Sequence, residues 1–311
     1  CIVPFSRGKE VCRSAEEIIT EVSNLIKTGY KEITLLGQTV NRWINPKFSN
    51  MYEYNEAQTS IKGLNDKLVL KKELNKWSTQ FEKFLNNNIP LDFSSVFMPR
   101  DFLQLLQVLD RLPGEWWLNW VSSHPNYFTL KLINYIGKSI ENNNDKALHR
   151  THQKSYLHFA LQSGSDDILK KMNRRHNFKQ FYERIKKIKE ACPGISLSTD
   201  IIVGFIGETE KDFKMTIDAE KKCKFEMIYI SEYSPRKGTA AARLQDDISL
   251  ETKASRKIRL NEVLKTIALR QNKKLITSWQ RVLLESYNIK SKCFMGRTFQ
   301  NKVIQIKANS N

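Results

Sequence analysis

With 311 residues, the chain is long enough for one large α/β domain and something smaller. Its 51 Lys and Arg against 33 Asp and Glu give a formal net charge of +18. No apolar run is long enough to span a bilayer, nothing at the start resembles a signal peptide, and no membrane partner is expected. Five scattered cysteines with no C-x-x-C pair exclude a disulfide framework and make the cytoplasm the expected compartment. The charge is uneven: residues 251–311 hold fourteen Lys and Arg against three Glu, a balance of +11. Such a field suits a polyanion such as RNA, although a solvated basic helix face has the same composition.

The chain opens on Cys1 without an initiator methionine, so it is either processed or part of something longer. Ser14 and Glu17 have capping-box spacing ahead of Ile18, Ile19, Val22, Leu25 and Ile26, and Gly29 suits a C-terminal cap. Residues 32–36 (EITLL) read as a short buried strand closed by Gly37 and Gln38. From about Asn45 to Phe97 the rhythm breaks into an Asn-, Lys-, Tyr- and Ser-rich insertion, with Trp77 and Phe81 on an amphipathic helix. The pattern then resumes with a helix over 100–110, a strand over 116–121 ending in SSHP, a helix over 128–140, and a strand over 156–161 ending in QSGSD, where Ser165 caps a helix.

After a helix over 178–191 comes the most informative stretch, residues 195–212, ISLSTDIIVGFIGETEKD. Its first half reads as a strand buried on both faces. Gly204 and Gly207 end it, and Thr209 with Asp212 opens a capped helix. The bland reading makes the glycines a mere bend and Glu208 a helix-start charge. A strand over 227–231 then ends in EYSPR. At least five strands alternate with helices, each ending in polar or small residues, which predicts parallel βα units sharing one site, as in a full or partial β/α barrel. Residues 250–275 read as a basic helix or helix pair. Short strands at 281–285 and 302–306, flanking Gly296 and Arg297, predict a small all-β appendage of OB-like type.

Six blocks, CIVPFSRGKE, LLGQTVN, SSHP, LQSGSD, STDIIVGFIGET and YSPRKGTAA, resemble the radical S-adenosylmethionine (SAM) methylthiotransferases in order and context, and FMGRTFQNKV near the end resembles that family's RNA-binding TRAM domain. GQTVN and SSHP resemble the branch acting on N6-isopentenyladenosine beside the tRNA anticodon. The resemblance implies a radical SAM barrel core over 1–249, a basic helical connector over 250–275 and a TRAM-like domain over 276–311. It implies a [4Fe-4S] cluster held by C-x-x-x-C-x-x-C, in which Cys1 matches the third ligand, and a second cluster in the family's N-terminal domain. The first two ligands have no counterpart here, so the chain reads as an N-terminally truncated segment, inactive by itself.

For the intact enzyme the family's chemistry is cleavage of SAM to a 5′-deoxyadenosyl radical, hydrogen removal from C2 of the adenine, sulfur insertion and methylation. By the same resemblance Gln38, Gln162, Ser163 and Ser165 face SAM, Asp200, Gly204, Gly207 and Glu208 hold its ribose or adenine, and Tyr233 closes the site. His124, Arg236 and Arg297 are the substrate candidates. For Asp200 a structural carboxylate, and for His124 a backbone-capping role, are the competing readings. Expected partners are tRNA and an electron donor such as flavodoxin or ferredoxin, with the protein a monomer. The alternatives are the threonylcarbamoyladenosine and ribosomal-protein methylthiotransferases, or a non-catalytic RNA-binding barrel.

Overall fold

The structure is a computed structural model that describes residues 8, 10–51, 66–144 and 152–307. Two stretches, Val11–Gln153 and the chain from Lys154 onward, form separate compact units. No helix among the described residues is long and apolar enough to cross a membrane.

In the first unit, α1 (Ala15–Lys27) starts with both hydrogen bonds of the Ser14/Glu17 capping box and buries Ala15, Ile19 and Val22. Gly29, at φ +96°, ends it in the left-handed conformation that a side chain disfavours. Strand β1 (Glu32–Leu35) pairs in parallel with β2 (Trp117–Trp120), from Glu32 opposite Trp117 to Leu35 opposite Trp120. The insertion contributes α2 (Asp66–Asn87), whose Trp77 and Phe81 are fully buried, their rings stacked at 5.2 Å. Trp77 donates its indole N–H to the Phe97 carbonyl at 2.8 Å. Helix α3 (Phe102–Leu109), capped by Asp101, and α4 (Leu130–Asn144) complete this unit, with Trp120 set between Phe102 and Phe128.

The second unit holds a parallel sheet in the order β3 (Tyr156–His158), β4 (Ser196–Val203), β5 (Met227–Glu232). Helices α5 (Asp166–Lys171) and α6 (Phe178–Ala191) connect β3 to β4, and α7 (Glu210–Cys223) connects β4 to β5. Alternation gives this sheet two unlike faces. On one lie Leu157, Leu197, Thr199, Ile201 and Val203, all buried. On the other, the register aligns Tyr156 with Ser196, His158 with Ser198, and Asp200 with Tyr229. A parallel sheet with one polar face is built to meet something other than a helix on that side.

Helix α8 (Leu250–Lys273) follows and leads to an antiparallel sheet of β6 (Val282–Asn288), β7 (Cys293–Thr298) and β8 (Val303–Lys307). Gly296 and Arg297, expected between two strands, lie within β7. The hydrophobic alternation that marks a strand is broken there by Gly296, where an added Cβ would collide with the Leu283 carbonyl of β6.

Candidate functional site

The turn after β4 is built from two left-handed glycines, Gly204 at φ +70° and Gly207 at φ +68°. A Cβ on Gly204 would collide with Lys253 Cγ, so the bend is occupied by a side chain from α8. Lys253 is 1% exposed. Its ammonium donates to the Tyr233 carbonyl at 3.2 Å and pairs with Asp246 at 2.5 Å. One turn on, Arg256 reaches Glu208 at 2.8 Å, and Glu208 accepts the Gly204 N–H at 2.6 Å. Burial pushes the Glu208 carboxyl above its ordinary value, against the opposing pull of the Gly204 N–H and Arg256. Glu208 Oε1, Arg256 Nε and the Tyr233 hydroxyl are buried without a hydrogen-bond partner. Such atoms in a native fold mark water or ligand positions.

The loop after β3 interlocks with this turn. Gln162, at φ +75°, donates its N–H to the Asp200 carbonyl at 2.8 Å and accepts from the Ile202 N–H at 2.9 Å, extending the β3–β4 ladder by one irregular step. Thr216 of α7 accepts the Gly164 N–H at 3.0 Å, and Ser165 donates to Asp212 at 2.6 Å while its oxygen caps α5 through the Ile168 N–H. Asp212 also completes the Thr209 capping box. The Ser163 and Ser165 hydroxyls are therefore engaged within the loop, while the backbone they shape lies at the carboxyl ends of the strands, where α/β proteins take ligands.

On the polar face, His158 Nε2 lies 3.2 Å from Asp200 Oδ2. His158 is buried, whereas the Asp200 side chain is 37% exposed. Tyr229 adds a half-exposed ring 5.8 Å from the imidazole. Burial lowers the Arg174 pKa, and the Asp200 charge counters that shift, which sets the guanidinium within electrostatic reach of the carboxylate. Lower on the same face, Tyr156 and Ser198 share a 2.6 Å hydrogen bond, and burial pushes the Tyr156 hydroxyl up to about 12.

The remaining expected site residues each have local surroundings of their own. Arg236 is exposed, its carbonyl closing a turn with Thr239. Arg297 meets Glu285 and Asn301 within the antiparallel sheet. In the first unit Gln38 is exposed beyond β1. His124 has its N–H and carbonyl bound at 2.9 Å and 3.0 Å by the Asn41 amide, and its ring accepts the Asn126 N–H at 3.3 Å. LLGQTVN and SSHP thus meet through Asn41 and His124. Cys1, the expected cluster ligand, lies outside the described residues. Among the described residues no three His, Cys, Asp or Glu side chains are grouped to hold a metal. Burial pushes the Cys192 thiol up to about 12 and Cys223 higher, as expected of packing cysteines.

Sequence reading missed Lys253, Arg256 and His158. The first two were legible in principle, since Lys253, Arg256 and Leu260 share one helical face and all three are buried. In a strongly basic helix that stripe is masked by the exposed charges around it.

Residues 144–219, running from the last residue of α4 to α7, match the family model described as the radical SAM superfamily. Over that stretch the chain is similar to the radical SAM superfamily. The likeness to methylthiotransferases holds over nearly the whole length. A tRNA-2-methylthio-N(6)-dimethylallyladenosine synthase of Thermodesulfovibrio yellowstonii is 32% identical over 98% of this chain and 56% of that protein. The synthases so named from Clostridium botulinum and Petrotoga mobilis are each 34% identical, over 98% and 99% of this chain and 54% and 57% of theirs. The chain thus spans about half the length of the curated relatives it matches. Coproporphyrinogen III oxidase of Escherichia coli, a radical SAM enzyme, superposes with a TM-score of 0.42 at 11% identity over 86% of this chain and 65% of that one, too loose a likeness to argue from.

Proposed function

We propose that this chain is the radical SAM portion of a tRNA methylthiotransferase acting at C2 of an N6-dimethylallyl (isopentenyl) adenosine. The observation that carries this reading is 32–34% identity over 98–99% of the chain to synthases named for that product. SAM and a [4Fe-4S] cluster, when bound, would supply the radical chemistry. The chain's own residues would bind and orient. Asp200 and Gln162 would take the adenosyl ribose, the 204–208 turn with Gly204, Gly207 and Glu208 and the 163–165 loop would present backbone to the nucleoside, and Tyr233 would border it. Gln38 would serve the same cofactor, Cys1 would ligate iron, and His124 and Arg236 would serve the substrate. Orphaned polar atoms at Glu208, Arg256 and Tyr233 fit a site that takes a polar ligand.

For tRNA the supporting surface is the antiparallel sheet, which would be the TRAM-like module of a β/α barrel enzyme. Tyr287, Phe294 and Ile306 form one row across β6, β7 and β8, 46%, 38% and 40% exposed, with the Tyr287 and Phe294 rings 5.0 Å apart. Lys290 and Lys292 are exposed in the β6–β7 turn and Lys307 at the end of β8. Exposed aromatics with interleaved lysines are what unstacked bases and phosphates require.

The test is anaerobic reconstitution of the product of the gene encoding this chain with iron, sulfide, a flavodoxin or ferredoxin reductant and SAM, followed by mass analysis of nucleosides from isopentenylated tRNA. Replacement of one hydrogen by a methylthio group on that nucleoside is expected. Labelling of threonylcarbamoyladenosine or of ribosomal protein instead would move the assignment to a sister enzyme, and tRNA binding without any modification would overturn it in favour of a binding module.

A further inference from the structure

The polar face of the β3–β4–β5 sheet carries a residue that neither the sequence blocks nor the turn accounts for. His158 ends the unit's shortest parallel strand, 7% exposed, where an apolar side chain would cost nothing. An imidazole is worth burying only if its nitrogens are used. One is, since Nε2 lies 3.2 Å from Asp200 Oδ2, while Nδ1 is buried without a partner. The register explains the reach: His158 stands opposite Ser198, and Asp200 is the next residue along β4 on the same face.

Asp200 is the more exposed member of the pair and is bordered by Tyr229 of β5 and by Arg174 beyond α5. A carboxylate that is one-third exposed has several rotamers open to it. One oxygen tied to a buried donor leaves the other facing outward in a fixed direction.

We propose that His158 is a positioning residue, which donates from Nε2 to Asp200 and so fixes the carboxylate to accept the two hydroxyls of a ribonucleoside's vicinal diol. This rests on the reading above that Asp200 takes the adenosyl ribose. In this tautomer Nδ1 is an acceptor, and no donor inside the protein meets it. Arg174 supplies a cation within electrostatic reach of the carboxylate, and Tyr229 supplies an aromatic edge beside the sugar.

The test compares binding of adenosine and of 2′,3′-dideoxyadenosine by NMR titration in wild type, His158→Phe, His158→Asn and His158→Gln. Wild type is expected to prefer adenosine. His158→Phe, which keeps the volume but has no donor, and His158→Asn, whose amide is too short to reach, should each lose about tenfold of that preference, with dideoxyadenosine binding unchanged. His158→Gln, whose amide nitrogen occupies nearly the Nε2 position, should keep most of it. Equal weakening of both ligands would show a purely structural histidine and overturn the proposal, as would an unchanged preference in His158→Phe and His158→Asn. If wild type itself shows no preference for the diol, the ribose reading of Asp200 fails first, an outcome distinct from failure at His158.

Discussion

The Glu208–Arg256 pair offers the sharpest perturbation, because both side chains are nearly inaccessible, 1% and 5% exposed, and Arg256 comes from a helix that sequence reading assigned to a connector. Unit charges 2.8 Å apart attract by about 6 kcal/mol at an effective dielectric of about 20, partly offset by desolvation. Arg256→Met removes the attraction but leaves the carboxylate buried with only the Gly204 N–H, so a loss of about 3–5 kcal/mol is expected near neutral pH. The pH dependence follows from burial, which raises the Glu208 pKa above 4.5 in the fold. A carboxyl with a raised folded value favours folding fully below its unfolded value, and that contribution is lost as pH climbs through the folded one. Arg256 opposes the rise, so its removal lifts the folded value further and makes ionisation costlier. The deficit of Arg256→Met should therefore be smaller near pH 5 than near pH 8. Glu208→Gln/Arg256→Met, which keeps an acceptor for Gly204 without a charge, should recover most of the stability. Urea unfolding at the two pH values, run as a double-mutant cycle, measures both effects. A deficit independent of pH, or a double variant no better than Arg256→Met, would refute a buried ion pair at this turn.

Glu220 is 2% exposed on α7, and burial pushes its carboxyl up to about 9, so wild-type stability should fall as pH rises from about 4.5 to 9; Glu220→Gln should flatten that slope and be the more stable protein at pH 8, read by thermal melts across the range. Gly164→Ala would place a methyl against the Met215 carbonyl and 2.6 Å from Thr216 Cα, backbone that cannot step aside, and should cost about 1–3 kcal/mol in urea unfolding while loosening the 163–165 loop. Trp77→Ala should cost about 3–5 kcal/mol, since it empties a fully buried site and orphans the Phe97 carbonyl, and the loss should appear as earlier proteolysis within 66–97. Neutralising Lys290 and Lys292 should lower the salt slope of tRNA binding by about 0.7–0.9 per lost phosphate contact, whereas Lys257→Gln, whose ammonium meets Glu232, should leave it unchanged.

How far the sequence was legible depended on whether a feature is local. The Ser14/Glu17 and Thr209/Asp212 boxes and the Ser165 cap are set by spacings of three residues, and all three form as read. Buried Trp77 and Phe81 were visible for the same reason, at four-residue spacing on a helix. The parallel pairing of β1–β2 and β3–β4–β5 followed from strands separated by helices. Strand β7 was invisible because glycine and arginine carry no strand signal, and its place is fixed by partners on either side. His158 and Arg256 share that difficulty. Their roles depend on Asp200 and Glu208, 42 and 48 residues distant in sequence, and nothing local to YLHFA or ASRKIR announces those partners.

The charge of the C-terminal segment shows how composition and structure divide the same residues. Among the described residues at least seven of its fourteen basic side chains meet a carboxylate: Lys253, Arg256, Lys257, Arg259, Lys265, Arg297 and Lys302. Most of these lie on the first half of α8, and their partners Glu208, Glu210, Glu232 and Asp246 belong to the parallel-sheet part of the same unit. That half of the helix is a staple for the turn at Gly204. The exposed cations of the other half, Arg270, Lys273 and Lys274, and those of the antiparallel sheet lie beyond it, alongside Trp279 at 93% exposure. A balance of +11 read as one polyanion-binding field is therefore divided along a single helix. Its amino half is neutralised by the protein's own carboxylates, and its carboxyl half keeps exposed cations, the charge that the proposed RNA binding would use.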